Sequence, residues 1–198
     1  MTVLPASEIR ALDRAAVDGA RLLELGNKKN RSGLYRDWYE ARGVHYWSTD
    51  INGEDGAFPW DIRTAIPKEI SDIAPFDCVT NFGFTEHVQT QQEDCWRNIH
   101  RLVHPAFGQL SCVLPQPGHW LTHGIPSGFP GRWYPHPAFF TEFAKGNGYA
   151  VDDLWVDDGA HLVCCRMHRL PGWTQPAVYF PEHLLFDNTT TFEGELKW

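Results

Sequence analysis

The chain has 198 residues, of which 42% are hydrophobic and 14% aromatic, and its formal net charge is −8. This length and composition predict one globular domain and exclude a disordered chain. The acidic balance argues against broad affinity for the phosphate backbone of bulk nucleic acid, and no apolar run approaches the roughly 20 residues that span a membrane.

The cysteines indicate a reducing compartment. Their number is odd, they form no C-x-x-C pair, and Cys78, Cys112 and Cys164 lie inside apolar runs. A free thiol in such a run behaves as a small buried hydrophobe. The opening stretch MTVLPASEIRALDR shows no secretory signal. We therefore expect free thiols, no metal site and a cytoplasmic location.

The hydrophobic pattern predicts alternating helices and strands over the first 115 residues. In chain order these are a helix over 6–18, a strand over 20–26, a helix over 34–43, a strand over 44–51, a strand over 76–83, a helix over 86–103 and a strand over 107–115. Thr85 is the expected N-cap of the helix over 86–103, and Gly43 closes the helix before the second strand.

The composition changes after Pro115. Residues 115–137 are rich in Pro, Gly, His and Trp and show neither helical nor strand periodicity. A loop of this length is usually functional, and we interpret it as an insertion or lid. A helix over 136–148 with a Gly or Asn C-cap follows, then a strand pair over 149–158 and 160–169. We expect one domain over 1–169, with 170–198 as an unassigned extension packed on it.

Alternating strands and helices predict an α/β sandwich with a mainly parallel central sheet. Such sheets bind ligands beyond the carboxyl ends of their strands, at the point where the strand order reverses. This directs attention to Gly26, Asp50, Gly83 and Pro115, which stand at the predicted strand ends.

Two of these strand ends carry carboxylates. Glu24 precedes Gly26, which lets a ligand approach the backbone closely; the alternative is a turn glycine beside a strand carboxylate. Asp50 is placed to accept hydrogen bonds from ribose hydroxyls. Its alternative is an Asx-turn with Asn52. Asp61 has a simpler alternative as a helix N-cap.

Five segments follow one another along the chain: LELG, a strand ending in Asp50-Ile51, Trp60-Asp61-Ile62, FDCVTNFGFTEHV and HRLVHPAFGQLSCVLP. This order resembles the class I S-adenosylmethionine-dependent methyltransferases. The resemblance covers about residues 20–115, and the later helix and strand pair fit it to about residue 169. It implies a three-layer sandwich around a Rossmann-like, seven-stranded sheet whose last strand is antiparallel. It also implies S-adenosylmethionine as cofactor.

The resemblance carries cofactor roles onto the first two strand ends. Glu24 and Gly26 match the motif that lies against the methionine portion. Asp50 matches the acidic residue on the ribose hydroxyls, and Ile51 matches the apolar residue that flanks adenine. Asn27-Lys28-Lys29 departs from the family, which usually has further glycines there.

Further roles fall on the later motifs. Asp61 and Ile62 match the pair near the adenine amino group, although the chain is compressed there. Asn81 and Phe82 match the strand end beneath the sulfonium. Glu86-His87 matches the motif that opens the next helix.

The insertion supplies the candidate catalytic residues His119, His123, Tyr134 and His136. A neutral histidine there could deprotonate a hydroxyl or amine acceptor at physiological pH. His119 and His123 are four residues apart, but Pro117-Gly118 argues against a metal-binding helix at this point.

The sequence therefore predicts an S-adenosylmethionine-dependent methyltransferase acting on a small molecule or a modified nucleotide. The alternative is a catalytically silent protein of the same fold that serves as a cofactor-binding or interaction subunit, as the departure at Asn27-Lys28-Lys29 suggests. A nicotinamide-dependent oxidoreductase is disfavoured, because the G-x-G-x-x-G fingerprint is missing.

Overall fold

The computed structural model describes residues 4–12, 17–30, 33–117, 131–174 and 177–187. Its helices are α1 (Ala6–Leu12), α2 (Tyr35–Glu40), α3 (Lys68–Ser71), α4 (Gln92–Leu102) and α5 (Pro137–Asn147). Its strands are β1 (Arg21–Leu25), β2 (Lys29–Asn30), β3 (Gly33–Leu34), β4 (His45–Asp50), β5 (Phe58–Pro59), β6 (Cys78–Phe82), β7 (Gln109–Pro115), β8 (Trp133–Pro135), β9 (Tyr149–Asp157), β10 (Leu162–Arg169) and β11 (Leu185–Asp187). No helix in these ranges has the length and apolarity needed to cross a bilayer.

A seven-stranded sheet with the order β5-β4-β1-β6-β7-β10-β9 forms the centre of the described chain. Along the sheet, the neighbouring strands β5, β4, β1, β6 and β7 pair in parallel, whereas β10 runs antiparallel to both β7 and β9. The predicted fold class, a mainly parallel sheet whose last strand is antiparallel, is confirmed.

Successive residues of each central strand serve opposite faces of the sheet, as the two-residue period of a strand requires. On one face Leu22 packs with α1 and α2, and on the other Leu23 packs with α4 and α5. Cys164 and Cys165 divide between the faces in the same way. The helices therefore cover both faces of a three-layer sandwich, and all five cysteines are free and buried, as predicted.

Aromatic side chains fill the larger of the two cores. Trp96 of α4 is 1% exposed, and its ring centroid lies 4.9 Å from that of Phe139 and 5.2 Å from that of Phe143. Its indole N–H donates to Gln92 Oε1 at 3.1 Å, which satisfies the buried donor. Several of the aromatic residues that stand out in the composition thus stabilise the packing of α4 against α5.

The prediction of one helix over 86–103 with Thr85 as N-cap is wrong. Residues Thr85–His87 form a 3-10 turn, and α4 begins only at Gln92. Asn81 Oδ1 accepts the Thr85 N–H at 3.2 Å, and Gln91 adopts a left-handed conformation with φ of 56°. These two features hold residues 85–91 in a compact turn, which the helical pattern of α4 does not reveal.

Two further stretches differ from the expectation. Lys29–Asn30 and Gly33–Leu34 pair as a short antiparallel hairpin after β1, so α2 starts only at Tyr35. Within the segment expected to lack strands, Trp133–Pro135 forms β8, which pairs antiparallel with Leu185–Asp187. The pairing depends on residues about fifty positions apart, a contact that local periodicity does not report.

The predicted glycine C-cap of α5 is confirmed at Gly148, whose φ is 69° and whose N–H donates to the Ala144 carbonyl. The residue also sits under an aromatic ring, since a Cβ built on it would lie 2.0 Å from Trp173 Cγ. Gly172 shares the left-handed backbone, with φ of 81°, but a Cβ there would meet none of the described residues within 4 Å. A comparison of alanine substitutions at Gly148 and Gly172 therefore separates the cost of backbone strain from the cost of steric overlap.

We expect Gly172→Ala to lower the free energy of unfolding by about 1 kcal/mol through backbone strain alone. Gly148→Ala should cost about 3 kcal/mol, because displacement of Trp173 adds to the same strain. Urea denaturation of both variants and the wild type measures the difference. Equal losses in the two variants would contradict the packing of Trp173 against Gly148.

Candidate functional site

A cavity of about 500 Å³ opens at the carboxyl ends of β1, β4 and β6. This is the edge at which parallel sheets bind ligands, beside the point where the strand order reverses. The residues of its wall are Gly26, Asp50, Ile51, Asn52, Trp60, Asp61, Ile62, Arg63, Gly83, Phe84, His87, Val88 and Gln89. Five predicted cofactor residues are therefore brought to one cavity: Gly26, Asp50, Ile51, Asp61 and Ile62.

Gly26 stands where β1 ends, and its position admits no side chain. Its φ is 90°, and its N–H donates to the Thr49 carbonyl at 2.7 Å. A Cβ on Gly26 would lie 2.8 Å from Cδ2 of Phe84. Glycine at this position therefore lets the Phe84 ring pack against the β1 turn, so that both residues contribute to the wall of the cavity.

Asp50 ends β4 beside Gly26. Its Oδ1 accepts the Asn52 N–H at 3.4 Å, so the Asx-turn given as the alternative is present. The same residue lines the cavity, so the turn and a ligand-facing position occur together. Ile51 follows with 69% of its surface exposed at the mouth of the cavity. The strand thus offers a carboxylate and an apolar side chain next to each other.

Asp61 lines the cavity with its carboxylate bound by Arg63. Arg63 Nη2 donates to Asp61 Oδ2 at 2.6 Å, and Arg63 Nε donates to Oδ1 at 2.8 Å. These bonds hold the pKa of Asp61 below its usual value. Ile62 is 2% exposed, and its carbonyl accepts from the Asn98 side chain at 2.7 Å. A ligand at this wall meets an ion pair, and Asp61 does not begin a helix.

Asn81 and Phe82 of β6 are buried beneath the cavity, outside its wall. Asn81 Nδ2 donates to the Thr85 hydroxyl at 2.9 Å and so fixes the turn after the strand. That turn carries Gly83 and Phe84 into the cavity wall. Sequence analysis identified Gly83 as a strand end by the same signal as Gly26, a glycine directly after a buried strand, but it gave Phe84 no role in the site.

Glu24 lies behind the cavity wall with no exposed surface. The Tyr46 hydroxyl and the Lys28 N–H donate to its Oε2, while Oε1 has no hydrogen-bond partner in the described part of the chain. Burial raises the pKa of this carboxyl to about 8. The structure therefore places the predicted methionine-side residue in a closed cluster one layer below the ligand space.

Asn27, Lys28 and Lys29, where the sequence departs from the family, line a second cavity of about 270 Å³. It shares Gly26, Asp50 and Asn52 with the first. Asn27 Nδ2 donates to the Glu54 carbonyl at 2.8 Å and ties the loop to the segment after β4. The loop is thus ordered by hydrogen bonds in place of the glycines that the family usually has there.

Two predicted catalytic residues are described, and neither lines the cavities. The buried Tyr134 hydroxyl donates to the Gly131 carbonyl at 2.9 Å, and burial with the Glu86 charge raises its pKa to about 12. His136 caps α5 by accepting the Ala138 N–H on Nδ1 at 3.1 Å, and burial lowers its pKa. His119 and His123 lie outside the described residues.

Within the described part of the chain, no group of three or more His, Cys, Asp or Glu side chains is placed to hold a metal ion. The polar side chains of the larger cavity are instead carboxylates, amides, one arginine and one histidine, with Asp61 paired to Arg63. Such groups suit an organic ligand that offers hydroxyls and an apolar ring.

No protein-family model and no curated protein matches the chain by sequence. Solved structures match its fold. The 1,6-didemethyltoxoflavin-N1-methyltransferase of Burkholderia thailandensis, crystallised with S-adenosylhomocysteine, is 11% identical with a TM-score of 0.56, over 83% of this chain and 76% of that one. A 16S rRNA (adenine(1408)-N(1))-methyltransferase W203A mutant from Catenulisporales acidiphilia is 13% identical with a TM-score of 0.54, over 87% and 95%.

The [4+2]-cyclase SpnF is similar to the same extent, with 10% identity and a TM-score of 0.55 over 82% of this chain and 80% of that one. A small-molecule methyltransferase, an RNA methyltransferase and a cyclase thus share one architecture, so the fold does not specify the reaction or the acceptor. The sheet order, the antiparallel last strand and these matches together show that the chain has the fold of the class I S-adenosylmethionine-dependent methyltransferases.

Proposed function

We propose that the chain binds S-adenosylmethionine in the larger cavity and transfers its methyl group to a small molecule or a modified nucleotide. The observation that carries the proposal is the convergence of Gly26, Asp50 and Ile51 on one wall, at the strand ends where this fold places ligands.

The cavity residues fit the nucleoside half of such a cofactor. Among the described residues, no basic side chain lies within ion-pair distance of Asp50, so its carboxylate can accept from two hydroxyl groups. Ile51 presents an exposed apolar surface beside it for a planar base. A volume of about 500 Å³ lies within the range of small-molecule sites.

When bound, the cofactor supplies an activated methyl group on a positively charged sulfur. The chain then contributes position and environment. Asp50 orients the ribose, the Phe84 ring covers Gly26, and Trp60 closes the apolar side of the cavity. We assign removal of the acceptor proton to His119 or His123 of the insertion, because Tyr134 and His136 are bound to their own backbone segment.

The net charge supports a small acceptor over bulk RNA, although one structure of similar fold is an rRNA methyltransferase. The other methyltransferase was crystallised with the small molecule 1,6-didemethyltoxoflavin. We therefore expect an acceptor small enough to enter beside Gly83 and Gln89, at the end of the cavity away from Ile51.

A second candidate is a cofactor-binding or interaction subunit without methyl transfer. The hairpin after β1 favours it, because β2 and β3 stand where the family usually has a glycine loop. The two candidates differ in turnover. A radiolabelled methyl donor incubated with a panel of amine and hydroxyl acceptors gives product under the first candidate and none under the second.

Isothermal titration should give micromolar binding of S-adenosylmethionine to the wild type. Asp50→Ala should weaken it by about 10-fold or more, since a hydrogen bond to a charged group contributes about 1.5–3 kcal/mol. Asp158→Ala, at an exposed aspartate on the β9–β10 turn, should bind as the wild type does. Absence of binding to the wild type would contradict the proposed function itself.

Gly26→Ala should abolish or weaken binding by about 10-fold, because the new Cβ forces the Phe84 ring out of its place beside the β1 turn. Gly19→Ala is its matched control, with φ of 80° and open space around the Cβ. Both substitutions introduce similar backbone strain, so thermal melting should show a loss of stability in both and a larger one in Gly26→Ala, where the Phe84 ring is also displaced. Unchanged affinity in Gly26→Ala would remove Gly26 from the site.

A further inference from the structure

Three buried carboxyl groups and one ammonium group meet below the cavity. Glu8 of α1, Glu24 of β1 and Glu86 of the 3-10 turn are 3%, 0% and 5% exposed. Lys28 is the cation that lies among them. Buried carboxylates usually have paired cations, so this part of the interior is short of positive charge.

The cluster divides its hydrogen bonds unequally. Lys28 Nζ donates to Glu8 Oε1 at 2.7 Å, and this ion pair uses the ammonium. Glu24 is held by the Tyr46 hydroxyl. Glu86 Oε1 is 3.8 Å from Nε2 of His87, and none of the residues that the structure describes is a hydrogen-bond partner of Oε2. Among the described residues, Glu86 is therefore the member of the cluster whose carboxyl group accepts no hydrogen bond from another side chain.

Two glycines make room for the Glu86 side chain. A Cβ on Gly83 would lie 3.3 Å from Glu86 Oε1, and a Cβ on Gly131 would lie 3.0 Å from Glu86 Cγ. The Arg132 N–H donates to the Glu86 carbonyl at 2.6 Å and holds the backbone in place. The carboxyl group thus occupies a fitted position between the end of β6 and the segment before β8.

This position lies directly behind the cavity. Gly83, whose Cβ position lies 3.3 Å from Glu86 Oε1 and 3.4 Å from Lys28 Nζ, is itself part of the cavity wall, as are Phe84 and His87. With only a glycine between the two, a charge in the cavity is separated from Glu86 by little more than one backbone thickness. Electrostatic interactions across so short a distance in a protein interior are strong.

We propose that the protonation state of Glu86 depends on the charge of the ligand. The carboxyl group loses its proton when a cation occupies the cavity and regains it when the ligand is neutral. The inference rests on the proposed function, in which the donor carries a positive sulfur and the demethylated product a neutral thioether. Each protonated Glu86 releases one proton to solvent when the cation binds, and each takes up one proton after the charge has left.

The surroundings of Glu86 support such a transition near neutral pH. Burial raises its pKa to about 7, opposed first by a hydrogen bond from its own backbone N–H and then by the Lys28 ammonium. Its other neighbours are His87 on the same turn, the Tyr134 hydroxyl from β8, and Glu8 through Lys28. A nearby positive charge favours the ionised carboxylate and lowers its pKa, which drives the proton to solvent.

The test compares S-adenosylmethionine with S-adenosylhomocysteine by calorimetry at pH 7, in phosphate and in Tris, whose ionisation enthalpies differ. The two ligands share the amino-acid and nucleoside groups, so their difference isolates the sulfur charge. We expect S-adenosylmethionine to release about half a proton more, because a carboxyl group with a pKa near 7 is half protonated at that pH. Equal proton release for the two ligands would overturn the inference.

Glu86→Gln should bind both ligands and lose the difference in proton release, since the amide keeps the shape without the ionisation. Glu69→Gln, at an exposed glutamate on α3, is the control and should keep the difference. A difference that survives in Glu86→Gln assigns the proton to another group and overturns the role of Glu86.

The wild type provides a test that does not depend on folding of the variant. The affinity ratio of S-adenosylmethionine to S-adenosylhomocysteine should rise about tenfold from pH 6 to pH 8 and level off above, because Glu86 is already ionised there. A ratio independent of pH would overturn the inference while leaving the proposed function intact. Failure of both ligands to bind would instead defeat the proposed function.

Discussion

The site depends on β1 being paired in parallel along both of its edges. Leu25 lies opposite Thr49 of β4, and Glu24 lies opposite Thr80 of β6. With helices packed on both faces, residues 22–25 of β1 are fully buried, and the Glu24 side chain is shielded from water. The three strand ends that it brings together are consequently the place where the sheet can meet a ligand. The positions of Asp50 and Gly83 beside Gly26 follow from this pairing.

The same confinement explains the unusual ionisation at the base of the cavity. A carboxyl group on a strand with both faces covered, such as Glu24, loses its solvent without gaining a full cation, and burial then dominates its pKa. Lys28 relieves one carboxyl group of the cluster through its contact with Glu8. The acidic net charge of the chain is thus partly an internal property, carried by groups whose charge depends on what lies next to them.

The sheet and the strand ends that line the cavity could be predicted because their signals are local. A buried strand followed by Gly26, or one that ends in Asp50, is visible in a few consecutive residues, and parallel pairing then brings these ends together. The burial of Glu24 was not predictable, because it depends on Tyr46 from the neighbouring strand. The late start of α4 follows from a side-chain bond between Asn81 and Thr85, which competes with helical hydrogen bonding.

The pairing of β8 with β11 has a consequence for the order in which the protein is completed during synthesis. Gln89 lies in the cavity wall, and its carbonyl accepts from Arg132 and from the Trp133 indole. Arg132 is in turn bound to Asp187 at 3.0 Å. A ribosome adds about 5–20 residues per second and domains form as their residues emerge. The parallel sheet can therefore assemble seconds before Asp187 exists, and the wall at Gln89 gains its last support only after the rest of the cavity has formed.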